Sequence, residues 1–406
     1  MSALPSSSTL MLAAVAGLTA FAPVARAAPG DQGVMGGGPV AEGSWRDVAA
    51  VNFSGTAECS GVLIAPTVAL TAGHCDAGNL DSILVGTNSL ARPELGELIP
   101  VARHVEYPDS FNNFDLTVLV LARPATVPPR AIATGWVSLE IIAGAAVQIV
   151  GYGALDRDAS QYVDELHEAE TTITSGDCAE DGLGCNLPAR PAGELGAGGM
   201  GIDTCPGDSG GPLYLKTSYG DFVAGITSRG YEDAVYPCQD GGIYTRPDAV
   251  IDWIEQTAGV PVSHAPEPTA DALALVPGGG GQTVVVANDP RATAHTFALA
   301  GPPEHGQAAV AADGRVRYCA AAGYTGDDWI PVTVTDASNP ARTLTTRVYV
   351  QVQDGPTETG CSLEFDDDGA GGCCAAGPGH AGGRALVAGL VGLLLLRRRR
   401  AAPRAR

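Results

Sequence analysis

Basic residues are scarce: 23 Lys and Arg stand against 45 Asp and Glu in 406 residues, a formal net charge of -22. Such a surface has little with which to neutralise phosphates. That excludes general nucleic-acid binding and fits solubility outside a cell. Aromatics are also few, 5% of the chain, while glycine is abundant at 54. This balance argues for short strands and loops and against long helical bundles. The 10 cysteines form no CxxC pair and no Cys/His zinc pattern, so disulfides and an oxidising compartment are expected. Neither terminal apolar run, Leu10 to Ala22 or Ala385 to Leu396, reaches the roughly 20 residues that span a bilayer. No Lys or Arg precedes the first of them, although Ala25 and Ala27 suit signal cleavage after Ala27.

What remains divides along the chain. Residues 1–27 read as a signal peptide and 28–33 as a short propeptide. From Val34 to Ala258, short apolar runs alternate with Gly, Pro, Asn and Asp. Val62 to Thr71, Ile83 to Val85, Leu116 to Leu121, Val147 to Val150 and Phe222 to Ile226 are predicted strands. One helix is predicted, opened by Pro247, with Val250, Ile251 and Ile254 at helical spacing and Gly259 as its stop. Residues 260–270, with Pro261, Pro266 and Pro268, predict a stiff extended linker. Residues 271–353 are again strand-rich, with candidates at 283–286, 308–310, 316–318, 330–335 and 346–352. Residues 354–380 read as a flexible Gly/Asp-rich segment containing Asp366, Asp367 and Asp368. Residues 381–406 read as an apolar run closed by four arginines.

Three short blocks carry chemistry. Thr71-Ala72-Gly73-His74-Cys75 follows an apolar strand, Asn113-Phe114-Asp115 opens another, and Gly207-Asp208-Ser209-Gly210-Gly211-Pro212 holds a serine in a Gly-rich turn. Serine is unreactive without a base, and an imidazole base needs its tautomer fixed. These blocks resemble the His, Asp and Ser blocks of the chymotrypsin/trypsin family, over the stretch from Val34 to Ala258. The resemblance implies an all-β fold of two packed six-stranded antiparallel barrels with a C-terminal helix, over residues 34–259. It implies His74, Asp115 and Ser209 as a catalytic triad and the amides of Gly207 and Ser209 as an oxyanion hole. It also implies disulfides Cys59–Cys75, Cys178–Cys185 and Cys205–Cys238; a further family bridge near Val147 to Gly153 has no cysteine.

The same resemblance places Asp203 at the floor of a substrate pocket, with Ser228, Gly230 and Gly242 around it, and so implies cleavage after Arg or Lys. Arg229, where relatives usually carry Trp, and Pro206, in place of a common Gln, depart from the pattern. Val34-Met35-Gly36-Gly37 resembles the new N-terminus of an activated zymogen, whose ammonium would pair with Asp208. Gly33 stands where many relatives have Arg or Lys.

Val286-Ala287-Asn288-Asp289-Pro290, Asp313-Gly314-Arg315-Val316-Arg317-Tyr318 and Ala322-Gly323-Tyr324-Thr325-Gly326-Asp327-Asp328 resemble bacterial Ig-like or cadherin-like repeats. They imply a small β-sandwich serving as a spacer or adhesion module. Asp289, Asp327 and Asp328 could hold Ca²⁺, but turn acids are the commoner arrangement; no metal and no cofactor is expected. Cys373-Cys374, the Gly-rich spacer, the apolar run and Arg397 to Arg400 resemble a myxobacterial C-terminal sorting tail. The expected whole is a secreted or surface-displayed serine endopeptidase acting on proteins or peptides, with possible membrane association through its tail. The alternative is an adhesion protein with an inert catalytic domain.

Overall fold

The computed structural model describes residues 34–179 and 182–365. The expected signal peptide 1–27, propeptide 28–33, Asp366 to Asp368, Cys373, Cys374 and the terminal segment 381–406 lie outside the described residues.

After a two-residue strand β1 (Gly38–Pro39), six strands close a first barrel: β2 (Val48–Phe53), β3 (Thr56–Ala65), β4 (Val68–Thr71), β5 (Leu80–Val85), β6 (Glu97–Glu106) and β7 (Thr117–Leu121). Their order is β2-β3-β4-β7-β6-β5, and β5 returns to pair with β2. The predicted strand over Val62 to Thr71 is two strands, because Pro66 has no N–H to give a ladder. The turn's carbonyls are used instead: Pro66 O accepts from Ala125 N at 2.7 Å and Thr67 O from Leu121 N at 2.9 Å. Val51, Leu63, Ile83, Ile99 and Leu119 fill the barrel.

The second barrel comprises β8 (Ala146–Gly151), β9 (His167–Ser175), β10 (Glu194–Ala197), β11 (Pro212–Thr217), β12 (Gly220–Gly230) and β13 (Gly242–Thr245). The order β9-β10-β13-β12-β11-β8 is closed by β8 on β9, and β1 adds to β9. Val147, Ile149, Leu195, Leu213 and Tyr244 form its core. A third cluster lies where the barrels meet and includes Val62, Leu70, Leu116, Val150, Tyr214 and Val223. Each such fully buried side chain contributes about 1.5–3 kcal/mol.

The connector between the barrels carries a single helical turn, α1 (Gly135–Ser138). The C-terminal helix follows its prediction. Pro247–Val250 is a 3-10 turn, α2 spans Ile251–Ala258, and Gly259 ends it at φ 74 with its N–H on Glu255 O. Ile254 plugs the helix into the inter-barrel cluster. Residues 260–270 are extended, yet they do not hang free. Ser263 N donates to Ile64 O, Ile132 N to Ser263 O, Ala265 N to Ile132 O and Trp136 N to Pro266 O, all between 2.8 and 3.1 Å.

The small β domain has two sheets. One is β14 (Leu273–Leu275), β20 (Thr343–Val352), β19 (Gly326–Asp336) and β16 (His295–Leu299), in that order; the other is β15 (Gly280–Val284), β18 (Arg315–Ala320) and β17 (Gly306–Val310). Asp313-Gly314 lies in the turn of the β17–β18 hairpin, with Val310 opposite Val316. Val316, Tyr318, Ile330, Val332, Val348 and Val350 face one another between the sheets.

The domain is docked, not merely tethered. Trp136 of α1 is fully buried in that core and its Nε1–H donates to Ala287 O at 2.5 Å. Arg342 lies over the indole at 5.7 Å, and Glu140 receives Tyr219 Oη, Arg291 and Arg342.

Protein donors already engage the three candidate calcium acids. Asp328 accepts from Tyr318 Oη and three backbone amides, Asp327 from Tyr349 Oη, and Asp289 pairs with Arg342. Within the segment expected to be flexible, Cys361 is tied to Cys319 by a disulfide that the sequence left unpaired. Among the described residues, no helix is long and apolar enough to cross a membrane.

Candidate active site

His74 follows β4 in a short 3-10 turn, Gly73–Cys75, that the Cys59–Cys75 disulfide ties back to β3. Asp115 precedes β7, the strand beside β4. This adjacency brings them together: His74 Nδ1 lies 2.8 Å from Asp115 Oδ2, and the His74 amide donates to Asp115 Oδ1 at 2.8 Å. With Nδ1–H directed at the carboxylate, Nε2 is left to accept a proton. The imidazole is about 44% exposed and the carboxylate about 9%. Burial pushes Asp115 up, but the His74 ring and amide and the Ser228 hydroxyl outweigh it and hold the group below the usual carboxylate range. Ser228 Oγ donates to Asp115 Oδ2 at 2.6 Å, so the residue expected only as a pocket wall also touches the buried carboxylate.

Ser209 comes from the second barrel, in the turn before β11. Its carbonyl accepts from Ser60 N at 2.8 Å, which fixes that turn against β3 of the first barrel. Gly207 has φ +99, a conformation costly for any residue with a side chain. Asp208 N donates to Cys205 O at 2.9 Å. Among the described residues, the amides on either side of it, Gly207 N and Ser209 N, donate to no protein acceptor. Nor does a hydrogen bond link Ser209 Oγ to His74 among the described residues; such bonds are often loose until substrate binds.

Beside Ser209 opens a cavity of about 210 Å³, lined in part by Thr204, Cys205, Ser228, Arg229 and Gly230. The Cys205–Cys238 disulfide frames it. Asp203 adjoins it through Thr204 and is buried, its carboxylate accepting from Thr204 N, Gln239 N and Gly241 N at 2.8 to 2.9 Å. Burial outweighs those amides and raises it to about 6. A Cβ on Gly242 would stand 3.6 Å from Asp203 Oδ1, whereas one on Gly230 would meet only Ala234.

Asp208 is fully buried and accepts from Gly153 N at 2.7 Å and Cys205 N at 2.8 Å. Burial raises it to about 7. Val34 is likewise fully buried, within the second barrel's core. The Cys178–Cys185 disulfide closes the loop before β10.

Two residues at the site escaped the sequence analysis in different ways. Glu194 was not singled out; it is fully buried and receives both terminal nitrogens of Arg229. Arg229 was recognised only as a departure.

The family model described as Trypsin matches residues 34–254, and that of a bacterial Ig domain matches residues 263–355. Among curated proteins, the chain is 33% identical to mouse Serine protease 56 over 57% of its own length and 40% of that protein's. It therefore spans about two fifths of that relative. It is 31% identical to a trypsin of Saccharopolyspora erythraea over 50% of its length and 88% of the relative's, and 30% identical to trypsin iota of Drosophila melanogaster over 51% and 81%. Among solved structures, it resembles neuropsin, a serine protease expressed in mouse brain, with a TM-score of 0.46 and 27% identity over 55% of this chain and 98% of that one. With two closed barrels, a His–Asp pair on one and a serine turn on the other, and a family match over more than half its length, the chain belongs to the trypsin family of serine proteases.

Proposed function

We propose that the chain is an active endopeptidase that hydrolyses peptide bonds through an acyl-enzyme. Ser209 Oγ attacks the carbonyl carbon and His74 Nε2 takes its proton. Asp115 holds the imidazole and stabilises the imidazolium, and the amides of Gly207 and Ser209 receive the oxyanion. The observation that carries this reading is the 2.8 Å bond from His74 Nδ1 to Asp115, supported by two unengaged amides flanking the Asp208 peptide. A fluorophosphonate should label the protein stoichiometrically once Val34 is free. A chain with free Val34 that neither labels nor hydrolyses casein would overturn it in favour of the inert adhesion protein.

Cleavage after Arg or Lys is supported by Asp203, a carboxylate beside a cavity next to Ser209 whose hydrogen-bond partners among the described residues are all amides. With otherwise identical peptides, Arg or Lys at P1 should exceed Leu or Phe by at least about 100-fold in kcat/KM. The pH sign follows from the raised carboxyl. The anion that binds a cation is present above about 6 and is lost as pH falls through that value. Benzamidine inhibition should therefore weaken about tenfold from pH 7 to pH 5. A preference for Leu or Phe, or inhibition flat across that range, would remove Asp203 from the role.

Activation by cleavage before Val34 is supported by the burial of Val34 and by Asp208, a buried acid that among the described residues has only amide hydrogen-bond partners. The freed ammonium would pair with Asp208 and order the serine turn and the pocket. N-terminal sequencing of active enzyme should read Val-Met-Gly-Gly. Full activity in a chain starting at Ala28 would refute the switch.

Four disulfides among the described residues support an extracellular setting, where the substrates would be proteins or peptides. The C-terminal segment would direct display or secretion.

A further inference from the structure

The cavity beside Ser209 is bordered by charges that hydrolysis as described does not need. Arg229 Nη1 donates to Glu194 Oε1 at 2.8 Å and Nη2 to Glu194 Oε2 at 3.1 Å, a two-pronged pair on a fully buried carboxylate. Asn186 N adds a third bond to Glu194, at 2.7 Å, and Arg229 Nη2 also donates to Gly184 O at 3.0 Å. Arg229 Nη1 reaches further and donates to Ser228 Oγ at 3.0 Å. The chemistry of that contact is directional. A guanidinium is only a donor, so Ser228 Oγ must accept from it and spend its own proton elsewhere. That proton goes to Asp115 Oδ2. Glu194, Arg229, Ser228, Asp115 and His74 thus form one continuous chain of bonds from a buried acid to the imidazole.

We propose that the Glu194–Arg229 pair is a positioning element for the catalytic carboxylate, acting through Ser228 to fix the donor on Asp115. The inference rests on the endopeptidase reading above and adds to it two residues that have no role in that scheme, one of which, Arg229, also lines the cavity beside Ser209. The pair is close to neutral as a whole, so its main effect is orientation. Each half alone is a charge near the triad. The other charged groups around the His74–Asp115 pair have their own partners: Glu106 accepts from Ser110 Oγ, Asp76 pairs with His104, and Arg246 with Asp248. None of them hydrogen-bonds to Ser228 or Arg229.

The test is the pH profile of kcat/KM for three variants of the activated full chain, each titrated with fluorophosphonate so that rates refer to folded sites. Arg229→Gln removes the cation and leaves the acid, which favours the imidazolium. Its acidic limb should move to higher pH by at least about 0.5 unit. Glu194→Gln leaves the cation and should move the limb to lower pH by a similar amount. Opposite shifts are a signature that loss of packing would not produce. The double variant Glu194→Gln/Arg229→Gln restores neutrality but not the directed donor. Its limb should return to the parental position while kcat falls about tenfold and KM stays within about 2-fold.

Limbs of both single variants that stay in place or move in the same direction overturn the proposal. If either single variant fails to fold, the double variant decides. In that case an unchanged kcat overturns it and the predicted drop at constant KM supports it. A parental enzyme that does not label would instead sink the endopeptidase reading itself, and the proposal with it.

Discussion

Ser209→Ala should lower kcat by about 10⁶-fold and abolish fluorophosphonate labelling, with almost no change in the unfolding midpoint. The hydroxyl oxygen is the atom that would form the acyl bond, so its removal deletes the covalent route. It leaves the His74–Asp115 pair and the two flanking amides in place. Among the described residues Ser209 Oγ has no hydrogen-bond partner to lose, and a change of this kind usually stays within about 0.5 kcal/mol. If the three residues work as a unit, as proposed, adding His74→Ala to Ser209→Ala should cost almost nothing further. Rates on an Arg-P1 peptide and a thermal melt read both parts. A Ser209→Ala chain that keeps more than about one hundredth of the parental kcat would contradict this assignment of the nucleophile.

The second large effect is on stability. Trp136→Ala should cost about 3–5 kcal/mol in urea unfolding, the range for deleting a fully buried large aromatic. The indole lies inside the core of the Ig-like domain although it belongs to the catalytic domain. Its removal would leave Ala287 O without its donor and Arg342 without the ring beneath it. A chain ending after Pro268 would expose the same indole to water and should lose stability comparably. If both changes leave the unfolding curve in place, the second domain is only a tethered spacer. Catalysis at low temperature should be little altered in either case, because Trp136 lies in the connector and not at the cleft.

The parts of this molecule that were legible in its sequence are those set by local chemistry. The His74, Asp115 and Ser209 blocks are contiguous strings. Pro247 and Gly259 bracket the helix because one has the right φ for a first turn and the other tolerates a left-handed stop. The strand runs follow from short apolar stretches bounded by turn residues, and the break within Val62 to Thr71 falls at Pro66, which has no N–H for a ladder. What was not legible depends on distant partners. Glu194 lies in a four-residue strand whose other members are Leu, Gly and Ala, and its meaning comes from an arginine 35 positions away. Cys319 and Cys361 are separated by 42 residues, and their pairing depends on how the segment after β20 turns back along β18. Trp136 sits in a single helical turn with no periodicity to show which domain would bury it.

The extended stretch from Val262 to Pro266 has a consequence for the order in which the catalyst is assembled. It hydrogen-bonds to Ile64 in the first barrel and to Ile132 and Trp136 in the connector. His74 and Asp115 belong to one barrel and Ser209 to the other, and none of the described disulfides crosses between them. This stretch acts as a strap, and it is encoded after His74, Asp115 and Ser209. A chain emerging N-terminus first therefore presents all three proposed catalytic groups before the stretch that fastens the connector to the first barrel, so that fastening forms only after the groups it braces have been made.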